Sequence, residues 1–337
     1  MNRLVIIFSI AVLLFIGGCT SDPRPDVSHI EVDIDIPRFE KAVFSLDTNT
    51  IVVSIDKVYD AYPEVSDLYF EKVMNFMKRD RSGQLDYEFI KKFVTNEALL
   101  GLMDTVETHY PDLSEIEQEL EEAFRYHTYY FPESKTPKIV SWISEFGPAV
   151  SSLDSSVIGI SLDMYLGADY VYYPSLEFPR YMYRNFTSEY IPINVMKSVW
   201  QYASDWDEKN KRLIDHMVER GKELYYLEKV LPDTEKHKLL GYSKEEYQWC
   251  KDNAVQMWEF FIEKELLYSD NPRDFMKYVK EGPTSSGMPN ESPGNTASWL
   301  GWQIVKAFVG KSDDMTLKNL KDVSDGQKVL VKSKYKP

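Results

Sequence analysis

The stretch LIDHMVERGKELYYLEKVLPD at 213–233 limits the possible folds more than any other part of this sequence. Its apolar residues recur at helical spacing, which predicts a helix with a continuous buried stripe. Gly221 lies in the middle of that helix, where glycine costs about 1 kcal/mol relative to alanine. We therefore expect a second helix to cross closely at Gly221. The stripe comprises Leu213, Ile214, Met217, Val218, Gly221, Leu224 and Tyr225.

The helical period also dominates much of the remaining chain. Two short runs rich in β-branched residues, KIVSWISEF at 138–146 and SVIGISL at 156–162, predict a small sheet. The sequence therefore predicts an α+β fold that is predominantly helical with a small β-sheet. The predicted helical regions are 51–131, 191–204, 208–230, 244–267 and 296–310.

Two local patterns make further predictions. Apolar residues alternate from Ile30 to Ile36 within 28–46, which is typical of an extended strand. Ser114 is followed three residues later by Glu117, the spacing of a capping box at the start of a helix.

The N-terminus, MNRLVIIFSIAVLLFIGG, resembles a bacterial export signal. Its apolar run from Leu4 to Ile16 is too short to span a bilayer comfortably. The run ends in IGGC, which resembles a lipoprotein cleavage box with Cys19 as the acceptor of diacylglycerol and acyl chains such as palmitate. We therefore expect a signal peptide at 1–18, a tether at 19–27 and a single mostly helical body at 28–337. Threonine after the cysteine favours the outer membrane, and which side the body faces stays open.

Charge and cysteine content exclude some functions. The formal net charge is −15, so the chain repels phosphate backbones and nucleic-acid binding is not expected. Cys250 is the one cysteine besides Cys19, so no intrachain disulfide is expected once Cys19 carries lipid.

The residues for metal or nucleophilic catalysis do not form a recognisable set. The sequence holds five histidines, and no two stand at the i, i+4 spacing of an HExxH motif. Neither a G-x-S-x-G elbow nor a phosphate-binding loop occurs. His216 and Glu219 on the Gly221 helix are the pair nearest to a ligand set. We therefore predict no catalytic residue, no metal site and no cofactor.

An aromatic window between Tyr165 and Tyr190 allows two interpretations. Its rings could form a stacking platform for sugar, with Tyr172 and Tyr181 as the binding residues. They could equally form a half-buried layer at a sheet edge, and this second interpretation is favoured because tyrosine is normally intermediate in burial.

Several motifs together resemble a known family. SLDMYLG at 161–167 and SWLGWQIV at 298–305 are the most specific, and ERGKELYYLEKVLP at 219–232 and the lipoprotein box agree with them. On these motifs the chain is similar to the gliding-motility lipoprotein B (GldB) family of Bacteroidota. That resemblance implies a degenerate zincin-like layout without HExxH. It also marks Asp163, Trp299 and Trp302 as candidate binding residues, although a structural role is the simpler interpretation of the two tryptophans.

The resemblance also implies a function, and this chain differs from the family at one position of the Gly221 helix. Members are expected to be non-catalytic envelope lipoproteins that serve gliding or the linked type IX secretion system, held to the membrane by lipid and contacting other envelope proteins. Relatives tend to carry an acidic residue where this chain has Arg220, which removes a residual metal ligand. Two alternatives stay open: a zinc metallopeptidase with atypical ligands such as His216 and Glu219, and a carbohydrate-binding surface lipoprotein.

Overall fold

A computed structural model describes residues 24–79, 82–152, 154–312 and 314–337. Helices surround a three-stranded sheet, which confirms the predicted α+β, predominantly helical class. Within these residues no helix is both long enough and apolar enough to cross a membrane.

Helices occupy the first third of the described chain. A π-helical stretch at Asp67–Val73 continues directly from α3. The region 51–131 is mostly helical, as predicted, but the described residues between Val73 and Tyr87 are not. The elements are α1 (Phe39–Phe44), α2 (Ile51–Ala61), α3 (Pro63–Ser66), α4 (Tyr87–Val94), α5 (Glu97–His109) and α6 (Ser114–Tyr130).

The sheet forms where the two β-branched runs predicted it, and its strand order is β1-β3-β2. β1 (Lys138–Trp142) pairs in parallel with β3 (Val157–Ser161), and β2 (Val150–Ser152) pairs antiparallel with β3. Side chains of β1 alternate between two hydrophobic clusters: Ile139 packs into a large one, and Val140 packs into a smaller one around α1 to α4. Both faces of β1 are thus covered, which explains why four of its five residues are buried.

The second half of the chain is again helical, after a series of 3₁₀ turns between Leu162 and Tyr190. The four predicted helical regions contain five of these helices, α7, α8, α10, α11 and α13, whereas α9, α12, α14 and α15 were not predicted. The elements are α7 (Ile191–Ala203), α8 (Leu213–Val230), α9 (Lys236–Leu239), α10 (Lys244–Asp252), α11 (Ala254–Glu263), α12 (Pro272–Val279), α13 (Thr296–Val309), α14 (Leu317–Lys321) and α15 (Gly326–Ser333).

Helices α8 and α13 cross at two glycines, as the sequence of α8 predicted. A Cβ atom placed on Gly221 would lie 2.3 Å from the carbonyl oxygen of Gly301. One placed on Gly301 would lie 1.8 Å from the carbonyl oxygen of Met217. The two backbones therefore touch, and only glycine fits at either position.

The N-terminal segment that was predicted as a strand is extended but does not belong to the sheet. Residues 30–37 form no strand, and the backbone N–H groups of Ile34 and Ile36 donate instead to the carboxylates of Glu121 and Glu117 on α6. These carboxylates are four residues apart on a helix, about 6 Å, which matches the span of two extended residues. The segment therefore runs extended and antiparallel to α6, with the alternation of Ile34 and Ile36 toward the core retained.

The predicted capping box at Ser114 is also wrong. Glu117 binds the Ile36 amide instead of reaching back to the helix start, and no side chain caps α6. Asp112 accepts the backbone N–H and the hydroxyl of Ser114. The start of α6 is thus held by an aspartate turn outside the helix.

Part of the predicted tether lies on the body. Val27 is buried in the large hydrophobic cluster. The guanidinium of Arg24 donates to the Asp233 carboxylate at 2.6 Å and to the Pro232 carbonyl at 3.0 Å. Residues 24–27 therefore belong structurally with the body.

Candidate functional site

A cleft of about 570 Å³ opens beside helix α8 and is the candidate functional site. Its lining comes from the C-terminal end of α7, the connection between α7 and α8, one face of α8, and the last turn of α12 with the two residues after it. Its volume lies within the range of small-ligand sites.

Helix α8 supplies the polar wall of this cleft because its two sides differ. The side with Gly221 packs against α13, while His216, Glu219 and Glu223 recur at intervals of three and four residues and face the cleft. All three of these polar residues are buried. Buried ionisable groups need partners, so their contacts decide what the cleft can do.

Glu219 is neutralised by its own helix. Its Oε2 atom lies 2.6 Å from the ammonium nitrogen of Lys222, and its Oε1 atom accepts the Ser204 hydroxyl at 3.1 Å. The same ammonium group donates to the carbonyls of Lys321 and Val323 at the end of α14. Both carboxylate oxygens of Glu219 and all three protons of Lys222 are therefore engaged.

Glu223 is paired in the same way one turn later. The Arg220 guanidinium donates to its Oε2 atom at 3.0 Å, and the Gln201 amide donates to the same oxygen at 3.1 Å. Its Oε1 atom lies 2.9 Å from Arg220 but makes no hydrogen bond of proper geometry. One buried oxygen of Glu223 thus keeps an unused acceptor position.

His216 lies in the same wall with an unused ring nitrogen. Its imidazole packs edge-on against Trp206 and tilted against Phe275, and its Nε2 atom has no hydrogen-bond partner. Burial lowers the pKa of His216 from its usual value, although nearby carboxylates oppose the shift. A neutral ring next to Glu219 follows from this, and an unsatisfied buried polar atom costs about 1–3 kcal/mol.

This geometry bears directly on metal binding. His216 and Glu219 share a helix face, as the metallopeptidase alternative requires, but Lys222 holds the Glu219 carboxylate. In the parts of the chain that the structure describes, no three His, Cys, Asp or Glu side chains are grouped so that they could hold a metal ion. A catalytic zinc site needs three protein ligands and an open position.

Asp163, a candidate binding residue, lies entirely inside the protein. Its carboxylate accepts the backbone N–H groups of Ser144 and Phe146, at 3.1 and 2.6 Å, and its carbonyl accepts the Tyr173 hydroxyl. Burial raises the pKa of Asp163 to about 6, although the two amides act in the opposite direction. This aspartate holds the loop after β1 in place and is out of reach of a partner.

The two candidate tryptophans lie on α13 and are buried in the hydrophobic core. Trp302 donates its indole N–H to Glu228 at 3.0 Å, and Trp299 is buried nearby on the same helix. Burial acts to raise the pKa of Glu228, but the ammonium groups of Lys306 and Lys236 outweigh it and lower that pKa below its usual value. The SWLGWQIV motif therefore secures the crossing of α8 and α13.

The aromatic window is a buried to half-buried layer, which agrees with the favoured interpretation. Tyr165 and Tyr173 are fully buried, and Tyr173 contacts Tyr170 and Phe186 edge-on. Tyr172 is the exception and is 60% exposed. The other proposed sugar-binding ring, Tyr181, borders a small depression of about 10 Å³ whose lining does not include Tyr172.

Sequence reasoning named three residues of the cleft, His216, Glu219 and Arg220. It missed Glu223, the aromatic wall at Trp206 and the pairing of Glu219 with Lys222. A signal for the pairing was present, because the run E-R-G-K-E places opposite charges three residues apart twice. Cys19, the predicted lipid attachment site, lies outside the described residues.

The fold and cleft define a predominantly helical α+β protein in which two buried carboxylates of the cleft, Glu219 and Glu223, are paired with neighbouring cations. A family model described as gliding motility protein GldB matches residues 20–337, and the chain belongs to this family. It is thus a gliding-motility-related lipoprotein of the cell envelope. No curated protein and no solved structure matches the chain, so a zincin-like ancestry stays a prediction.

Proposed function

We propose that this protein is a non-catalytic interaction or assembly component of the envelope, serving gliding motility or the linked type IX secretion system. It is anchored by lipid at Cys19, in the outer membrane, and contacts other envelope proteins. The observation that supports a non-catalytic role is the pairing of Glu219 with Lys222 and of Glu223 with Arg220.

The physical reason is competition for the same oxygens. A cation bound to a carboxylate opposes the approach of a metal ion, and displacing it would leave a buried ammonium or guanidinium group without its partner. Lys222 is almost fully buried, so it cannot swing into water without breaking its bonds to the end of α14. The cleft is therefore suited to contacts with other molecules.

Affinity purification from native envelopes, combined with metal analysis, tests this proposal. We expect the tagged protein to recover motility or secretion components, and a Cys19→Ala variant to recover fewer because it lacks the anchor. Normal gliding and secretion in a deletion strain, together with a pull-down free of such components, would contradict the proposal. Stoichiometric zinc with chelator-sensitive proteolysis would favour the metallopeptidase with His216 and Glu219.

A carbohydrate-binding role is the second candidate, and the exposure of Tyr172 favours it. An exposed tyrosine ring is a common stacking surface for sugars. Binding on a glycan array that is lost in Tyr172→Ala and kept in Tyr268→Ala, a similarly exposed tyrosine elsewhere, would support this role.

A further inference from the structure

Three residues that line the cleft beside α8 carry a buried polar atom without a hydrogen bond: the indole Nε1 of Trp200, which is a donor, and two acceptors. The acceptors are Oε1 of Glu223, which lies 2.9 Å from Arg220 without a hydrogen bond of proper geometry, and Nε2 of His216, and their residues are 3% and 5% exposed. Buried polar groups in native proteins are nearly always bonded, so an unbonded acceptor that borders a cavity is available to a ligand or to water. A neutral imidazole with its proton on Nδ1 presents Nε2 as an acceptor. Both atoms can then receive donors.

The charge of the cleft shows which donors fit. Four carboxylates line it, Glu208, Glu219, Glu223 and Glu281, against two cations, Arg220 and Lys280. Lys222 compensates Glu219 from behind, and an excess of negative charge remains. A cationic group is therefore favoured over an anionic one.

The walls of the cleft show which shape fits. Trp206 and Trp200 form aromatic sides, and Met276 adds an apolar one. Lys211 already lies over the Trp206 ring at 5.2 Å from its centroid, so this ring accepts cations. A planar guanidinium can stack on such a ring while its edge donates two hydrogen bonds, which an ammonium group cannot do as well.

We infer that this cleft receives the guanidinium of an arginine side chain presented by a protein partner. Its edge donates to Glu223 Oε1 and His216 Nε2, and its face lies against Trp206. The inference rests on the proposed interaction role and names the chemistry by which the partner is recognised.

Small arginine analogues test the inference on the detergent-solubilised full chain. N-acetyl-arginine methylamide is titrated by saturation-transfer NMR, with the citrulline and lysine analogues as neutral and ammonium comparisons. We expect saturable binding of the arginine probe and about tenfold weaker binding of citrulline, the loss of one charge-assisted hydrogen bond. Equal binding of arginine and citrulline would overturn the inference.

Two variants place the binding in the cleft. Gln201→Arg adds a second guanidinium beside Glu223, next to that of Arg220, since Gln201 already contacts this carboxylate at 3.1 Å, and should abolish probe binding. Glu223→Gln should weaken binding about tenfold. Gln248→Arg makes the same change on an exposed face of α10 and should leave binding unchanged. Unaltered binding by Gln201→Arg would overturn the inference even if Glu223→Gln fails to fold.

The same variants separate this inference from the proposed function. Recovery of the same envelope partner by the wild-type protein and by Gln201→Arg would overturn arginine recognition and leave the interaction role intact. If the wild-type protein recovers no partner while the arginine probe binds as expected, the interaction role fails and the cleft chemistry stands.

Discussion

Replacing Gly221 by alanine should weaken the crossing of α8 and α13. The new methyl group would lie 2.3 Å from the Gly301 carbonyl oxygen, so α13 must recede by about 1 Å to restore normal contact. Overpacking a core costs about 1–3 kcal/mol, and the upper end applies because the obstructing atoms are backbone. Alanine regains about 1 kcal/mol in helix propensity. We therefore expect Gly221→Ala to lower the free energy of unfolding by about 2 kcal/mol.

Gly101 provides the matched control. It also lies within a helix, α5, but a Cβ atom there would meet nothing within 4 Å. Gly101→Ala should therefore raise the free energy of unfolding by up to about 1 kcal/mol, through helix propensity alone. The same substitution thus has opposite signs at the two positions.

Urea unfolding of the detergent-solubilised chain, followed by circular dichroism, measures both effects. The slope of the free energy against urea should stay the same in all three proteins, so that the midpoints report stability. A Gly221→Ala variant as stable as the wild-type protein would refute the close crossing. A destabilised Gly101→Ala variant would show that propensity is not the governing effect at that position.

Three further predictions concern buried ionisable groups. Lys222→Met leaves the Glu219 carboxylate buried without its cation and should cost about 3–5 kcal/mol in urea unfolding, of which adding Glu219→Gln should recover a part. Asp163→Asn keeps one acceptor oxygen for two amide donors and should cost at least about 2 kcal/mol, measured in the same way. Burial lowers the pKa of His127 to about 4, so the folded state binds fewer protons than the unfolded state as pH falls below 6.5 and loses stability there. The destabilisation caused by His127→Gln should therefore shrink by about 3 kcal/mol between pH 7 and pH 4.

Each of these three substitutions is compared with the same substitution at an exposed residue. For His127, the quantity to follow is the difference in unfolding free energy between the variant and the wild-type protein. The raised pKa of Asp163 stabilises the folded state as pH falls, so the wild-type stability alone would not isolate the effect of His127. A difference that stays constant with pH would contradict the buried neutral imidazole. Equal losses at a buried group and at its exposed control would contradict the other two predictions. The controls are Lys328→Met, Asp154→Asn and His109→Gln.

The sequence predicted the fold best at positions where a residue type has only one plausible structural role. A glycine in the middle of an otherwise apolar helix has few uses, so the close contact at Gly221 could be predicted. Its partner Gly301 could not, because helical periodicity does not say which two helices meet. The β-branched runs at 138–146 and 156–162 likewise predicted strands, since they suit a buried sheet.

Alternation was misleading near the N-terminus because it reports burial, not backbone pairing. Ile34 and Ile36 point inward as a strand would require, yet their amides bind carboxylates on a helix. The spacing of Glu117 from Ser114 fits a capping box, but its carboxylate accepts the backbone N–H of Ile36, a distant residue, instead. Such competition is invisible in a local pattern.

The cleft was only partly predictable for a related reason. Charged side chains are rarely buried, so the run E-R-G-K-E carries no local sign that its members line a buried wall. Burial of Glu219 and Lys222 depends on α14 and the end of α7, which come from distant parts of the chain. The missed helix α14 supplies the carbonyls that hold Lys222, so the two failures have one origin.

The bonds between the N-terminal segment and α6 determine how a pull on the membrane side enters the molecule. Tension on the leading end reaches the Arg24–Asp233 bond first and then the amides of Ile34 and Ile36 on α6. Helix α6 in turn contacts α7 and α8, the two helices that border the cleft. Strain from the proposed lipid anchor would thus arrive beside the cleft through a single intervening helix, a short mechanical route to the surface where the proposed partner docks.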